Sequence, residues 1–179
     1  MVHDCPNHVR AKLWALSKTP FDKTVYLDAD TCVMHEDASK MFDFDSDLIF
    51  TNIRPYAGKI AKFIGGEMVL HGGVFGYKST PRVLKFMDRW WELYCEQRNG
   101  TWWPKGIEPK ERLVTWDQLT LWWLTENEYS DLDINIYKDD ARFNFVYLYK
   151  ENECEGEIVV WHYTLQLRDP IDARSIPKE

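Results

Sequence analysis

The chain has 179 residues, enough for one domain with an apolar core of its own. Its formal net charge of -7, with the 22 basic residues scattered along the sequence, excludes the basic footprint that nucleic-acid binding requires. No apolar run reaches the length of a bilayer span, and the opening Met1-Val2-His3-Asp4-Cys5-Pro6 lacks the pattern of a signal peptide, so the expectation is one soluble, cytoplasmic domain over residues 1–179 with no membrane span. Cys5, Cys32, Cys95 and Cys154 are far apart and read as reduced thiols rather than a zinc or redox site.

In chain order, His8 to Leu16 is predicted as a helix, with Val9, Leu13 and Leu16 on one face and Arg10 and Lys12 off it. Val25-Tyr26-Leu27 is an apolar β-forming run that breaks into the carboxylates Asp28 and Asp30, as a buried strand does where it emerges from a sheet. Leu48-Ile49-Phe50 and Val74-Phe75-Gly76-Tyr77 read as two further strands, the second entered through Gly72-Gly73. A helix is predicted from Pro81 to about Asn99-Gly100, capped by Thr80, with Val83, Leu84, Met87, Trp90, Trp91 and Tyr94 at helical spacing. The stretch from there to Arg112 has no period and reads as a long loop over a site. A second helix is expected near Thr115, where Thr115-x-x-Gln118 has the form of a capping box. Ile134-Asn135-Ile136 and Ile158-Val159-Val160-Trp161 are short strand candidates, and the tail after Arg168 looks irregular. Strands alternating with helices predict an α/β fold. The three adjacent tryptophan pairs, Trp90-Trp91, Trp102-Trp103 and Trp122-Trp123, offer faces for sugar stacking, although core packing is the commoner fate of such rings.

The chemistry is concentrated at Asp28-Ala29-Asp30. In an extended segment the two carboxylates point the same way, a few ångströms apart at the mouth of a sheet, where open α/β sheets bind ligands. Two carboxylates so close need a positive partner, and hard oxygen ligands suit Mg2+ or Mn2+. A cation held there attracts a diphosphate and stabilises the charge released when a sugar-phosphate bond breaks.

Lys12-Leu13-Trp14 through Thr19, then Tyr26-Leu27-Asp28-Ala29-Asp30-Thr31 and Val33, together resemble the donor-binding segment of the glycogenin-like (family 8-type) glycosyltransferases, retaining enzymes of the GT-A fold. Gly73-Val74-Phe75-Gly76-Tyr77, Asp117-Gln118 and Val160-Trp161-His162-Tyr163 follow in the family's order, so the resemblance spans about residues 10 to 163. It implies a GT-A-like mixed sheet flanked by helices. It further implies a metal-dependent hexosyltransferase that takes a sugar from a nucleotide-diphosphate donor, UDP-linked, with retention and with Mn2+ or Mg2+ as cofactor. Asp28, Asp30 and His162 would ligate the cation, while Lys12, Arg10, Gly72, Gly73 and Val74 would meet the donor and Asp117 and Gln118 would take the catalytic positions. The second substrate would be a glycan, protein or small-molecule acceptor.

The sequence departs from that pattern in three places. His71-Gly72 stands where the family carries a small polar residue or Asn. Thr164-Leu165-Gln166-Leu167-Arg168 replaces the glycine and lysine that clamp the phosphates, leaving Arg168, Lys105 or Lys110 as substitutes. The family's opening strand-helix units, which bind base and ribose, are not found before residue 10, so the donor site is expected to be completed by residues 98–112, a partner chain or a homo-oligomer. Two other readings compete. One is a non-catalytic nucleotide-sugar or glycan-binding remnant of a transferase. The other is a haloacid-dehalogenase-like phosphatase with magnesium at Asp139-Asp140, although Cys32 stands where that family has Thr or Val.

Overall fold

A computed structural model describes residues 10–52, 70–107, 109, 114–146 and 154–163. The expected helix start at His8-Val9, Lys110 and Arg112 of the loop, and the tail with Arg168 lie outside those residues.

Two sheets carry the described residues. The larger has the order β1-β4-β3-β5, built from β1 (Lys23–Leu27), β3 (Leu48–Asn52), β4 (Leu70–Lys78) and β5 (Ile134–Ile136). β4 runs antiparallel to both β1 and β3, while β3 and β5 are parallel. The smaller has the order β2-β7-β6, with β2 (Thr31–Val33) antiparallel and β6 (Phe145–Val146) parallel to β7 (Val160–His162). The fold is thus the expected mixed α/β type, but among the described residues Val25-Tyr26-Leu27 lies at the edge of its sheet, half-buried throughout, rather than fully covered.

Alternation along β3 and β4 divides the core. Leu48, Phe50, Phe75 and Tyr77 face one apolar cluster, and Ile49 and Val74 face another. The first cluster is closed by α1 (Ala11–Leu16), α2 (Pro81–Asn99) and α3 (Asp117–Trp123); the second by a 3-10 helix (Glu36–Phe42), by α4 (Asp140–Phe143) and by Val159-Val160.

α2 begins and ends as its sequence dictates. The Thr80 hydroxyl accepts from the Val83 N–H, Pro81 opens the first turn, and Gly100 closes the helix at a left-handed φ of 72°. Its buried stripe is Val83, Phe86, Met87, Trp90, Leu93, Tyr94 and Gln97, rotated from the expected one so that Leu84 and Trp91 are only half-buried. Loss of the Thr80 cap would cost about 1 kcal/mol.

α3 begins differently from expectation. Trp116 is the N-cap and makes no side-chain cap bond, so the Thr115-x-x-Gln118 box does not form. The Gln118 amide is engaged elsewhere, on backbone groups of β4 that have a stronger claim on it. Beyond Trp123 the helix widens into one π-type turn, Leu124–Glu128.

Candidate active site

Asp28, Ala29, Asp30 and Thr31 form a turn between β1 and β2, closed by the Thr31 N–H donating to Asp28 O at 3.1 Å and locked by the Thr31 hydroxyl on the same oxygen at 2.7 Å. Aspartate at the head of a turn followed by a short polar side chain favours this over a continued strand. The expected extended geometry is therefore replaced by a turn. The turn lies against β7: Thr31 pairs with His162, and the Tyr163 N–H donates to Asp30 O at 2.8 Å. One ligand atom from each of Asp28, Asp30 and His162 then falls within 4.8 Å of the others. His162 is buried, with Nε2 3.2 Å from Asp30 Oδ1.

A second set of charges borders this group. Lys12, from the first turn of α1, places Nζ 2.8 Å from Asp28 Oδ1 and 3.0 Å from Gly72 O, and donates to both. The same ammonium lies 3.3 Å from Asp117 Oδ2, an ion pair without hydrogen-bond alignment, and Arg10 Nε lies 3.6 Å from Asp117 Oδ1. Asp117 is only 3% exposed and opens α3. The Tyr26 hydroxyl donates to Asp28 Oδ1 at 2.7 Å, and its pKa is pushed well above the phenolic range, first by burial and then by the Asp28 charge. Tyr26 therefore remains a donor.

Facing the turn, β4 bows away from β3. Phe50 pairs with Phe75 but the next residue, Thr51, pairs with His71, so Gly72, Gly73 and Val74 have no register partner on β3. Such irregularities re-aim groups beside functional sites. Gln118 clasps the backbone at this irregularity: Gly72 N–H donates to its Oε1 at 2.5 Å and its Nε2 donates to Leu70 O at 2.6 Å. Both glycines are needed for close approach. A Cβ on Gly72 would lie 2.6 Å from Gln118 Oε1, and one on Gly73 would lie 2.5 Å from Asp28 Oδ2.

His71 completes this wall. Its Nδ1 accepts from the Gly73 N–H at 3.1 Å and its ring meets the His162 ring edge-on at 5.4 Å. Half-exposed at the surface yet ringed by protein atoms, it is pushed down to about 3 by burial, with the His162 ring and the Lys12 ammonium adding to the effect. It is therefore neutral near pH 7.

The structure thus brings together Asp28, Asp30, His162, Lys12, Arg10, Asp117, Gln118, Gly72 and Gly73. It does not bring the Val74 side chain, which is buried in the second cluster while its carbonyl accepts from the Thr51 hydroxyl at 2.9 Å. The sequence analysis did not single out Tyr26, although its position two before Asp28 was a usable signal. Trp90 is core, its Nε1 donating to Asp117 O at 3.1 Å, and Trp102 packs edge-on to Trp123. Asp140 is engaged by the Asn52 N–H at 3.1 Å and does not join the Asp28–Asp30–His162 group, which counts against magnesium at Asp139-Asp140.

Asp28, Asp30 and His162 form a group of two carboxylates and one imidazole that could hold a divalent cation. No helix among the described residues is long and apolar enough to cross a membrane.

No family model matches the sequence, and no curated protein matches it significantly. Among solved structures the chain is similar to the glycosyltransferase GlyE of Streptococcus pneumoniae TIGR4 in its apo form, with 16% identity, a TM-score of 0.54, and coverage of 88% of this chain and 37% of that one. It is also similar to an active-site mutant of LgtC, with 18% identity, a TM-score of 0.52, and coverage of 91% of this chain and 63% of that one. The galactosyltransferase LgtC in complex with donor and acceptor sugar analogs gives 17% identity and a TM-score of 0.50 over 86% of this chain and 57% of that one. The chain therefore spans between 37% and 63% of the length of these neighbours. The fold they share with it is GT-A-like.

Proposed function

We propose that the chain is a metal-dependent glycosyltransferase of the hexosyl type that uses a nucleotide-diphosphate sugar, UDP-linked, as donor. The observation that carries this reading is the convergence of Asp28, Asp30 and His162 within 4.8 Å, bordered by Lys12, on a GT-A-like sheet. Charge balance supports it. Asp28, Asp30 and Asp117 against Arg10 and Lys12 leave the site with a deficit of positive charge, and a divalent cation reverses the sign and makes the site attractive to a diphosphate.

Asp28, Asp30 and His162 would hold Mn2+ or Mg2+, which when bound supplies Lewis-acid stabilisation of the departing nucleoside diphosphate. The remaining residues orient and neutralise. Lys12 is placed to move between the Asp28 carboxylate and a phosphate oxygen. Tyr26 fixes the Asp28 carboxylate, and the Gln118 clasp holds the Gly72-Gly73 wall against which the donor sugar would lie. Asp117, between two cations, stands beside that wall as the candidate group acting on the sugar. Retention at the anomeric carbon rests on the family resemblance.

Product formation across a panel of nucleotide-sugars, with Mn2+, Mg2+ or chelator, tests the proposal. Transfer or slow donor hydrolysis that needs the metal and is lost in Asp30→Asn supports it. Tight donor binding without turnover toward any acceptor would make the chain a nucleotide-sugar-binding module instead.

A further inference from the structure

His162 offers a cation one ring nitrogen, and the group held by the other nitrogen decides whether that one is free. The other nitrogen, Nδ1, lies 2.9 Å from Asn144 Oδ1 at the end of α4. Asn144 Nδ2 in turn donates to Thr51 Oγ1 at 2.9 Å, and the Thr51 hydroxyl donates to Val74 O at 2.9 Å.

The direction of this chain is set at its far end. Val74 O accepts only, and it belongs to the bowed segment of β4 that has no register partner on β3, so the Thr51 proton is committed to it. The Thr51 oxygen is then an acceptor, which turns the Asn144 amide nitrogen toward Thr51 and the amide oxygen toward His162. A carbonyl oxygen cannot donate, so Nδ1 carries a proton; Nε2, 3.2 Å from Asp30 Oδ1, then either holds a second proton toward that carboxylate or offers its lone pair to a cation lying between them. The reversed amide would set two donors against each other at His162, unless the ring gave up its Nδ1 proton, and would leave Thr51 with two acceptors for one proton. Thr51, Asn144 and His162 are all buried, so water does not relieve either conflict. The amide is also held from behind: α4 is fastened to β3 by the Asn52 N–H on Asp140 Oδ2 at 3.1 Å, one residue from Thr51.

We propose that Asn144 is a positioning residue that holds His162 with a proton on Nδ1 and Nε2 turned to the Asp28–Asp30 turn. Its purpose rests on the metal-site reading above; the proton on Nδ1 does not. The full chain with 15N-labelled histidine, with and without Mg2+, reports by NMR which ring nitrogens carry a proton, and Mn2+ titration followed by electron paramagnetic resonance reports affinity. Wild type is expected to show Nδ1–H. Asn144→Leu, which keeps the volume and removes the acceptor, is expected to shift the proton toward Nε2 and to weaken Mn2+ binding by about ten-fold or more. Asn144→Asp keeps an oxygen facing Nδ1 and is expected to retain the Nδ1 proton and Mn2+ binding, at a cost in stability because its second oxygen replaces the donor that Thr51 Oγ1 accepts from. A wild-type ring with no proton on Nδ1, or unchanged ring protonation and affinity in folded Asn144→Leu, overturns the proposal. Nδ1–H in a wild-type protein that binds no Mn2+ would instead defeat the metal-site reading and leave the role of Asn144 in holding the ring intact.

Discussion

The Gly72 N–H donates to the Gln118 side-chain oxygen at 2.5 Å, in a gap where a methyl group on Gly72 would lie 2.6 Å from that oxygen and 3.2 Å from the Trp90 ring. The helix that opens with Asp117 is thereby tied to the strand that faces the Asp28–Asp30 turn. Gln118→Leu leaves the Gly72 N–H and the Leu70 carbonyl without their side-chain partner, at an expected cost of roughly 1–3 kcal/mol. Gly72→Ala should destabilise by a similar amount, roughly 1–3 kcal/mol, through overpacking against the Trp90 ring and Gln118. Chemical denaturation of the two variants checks this, and native stability in either would detach Gln118 from the support of the site.

Lys12 is expected to separate metal binding from diphosphate binding. Its ammonium neutralises Asp28 in the absence of ligand and would transfer to a phosphate oxygen in its presence. Lys12→Met should bind Mn2+ alone at least as tightly as wild type, because a competing cation has gone. UDP binding in excess Mn2+ should weaken by about ten-fold or more, the worth of one charge-assisted hydrogen bond. Calorimetry distinguishes the two, and an equal loss of both affinities would make Lys12 a structural ion pair.

Much of this site was legible in the sequence, and the parts that were not have physical causes. Asp28, Asp30 and His162 were identified by motif order, and β2 and β7 supply the reason they meet: Thr31 and His162 are register partners 131 positions apart in number, a pairing no local pattern reveals. The capping-box reading of Thr115 and Gln118 failed because a buried strand backbone competes for the same amide. The extended reading of Asp28-Ala29-Asp30 failed because turn chemistry at Asp28 and Thr31 outweighed the preceding β-forming run. α2 was read almost to the residue, since Thr80, Pro81 and Gly100 act locally. Asn144 carries no local signal at all; its role exists only through Thr51 and His162.

Acid should destabilise the metal-free fold through His71. The unfolded ring takes up a proton near its ordinary 6.5, whereas the folded ring resists protonation down to about 3. The unfolded state therefore binds more protons across that window, and the contribution of the neutral ring to stability is complete above 6.5 and lost as the pH falls toward 3. His71→Asn retains an acceptor for the Gly73 N–H and removes this titration, so its melting temperature should fall less steeply with acid than that of wild type. Thermal unfolding in chelator at stepped pH measures both slopes, and parallel slopes would show that the His71 ring is not held neutral.

The claim that Asp28 and Asp30 hold a cation against a nucleoside diphosphate is tested most directly by thermal unfolding in four conditions: buffer, Mn2+, UDP, and Mn2+ with UDP. The expected result is a rise in melting temperature with Mn2+, no rise with UDP alone, and a further rise when UDP is added to the metal-bound protein, as linkage requires of ligands that bind only the folded state. Asp28→Asn/Asp30→Asn protein should lose all of these shifts while remaining folded. A UDP shift of equal size with and without Mn2+, or shifts in the double variant equal to those of wild type, would contradict the account.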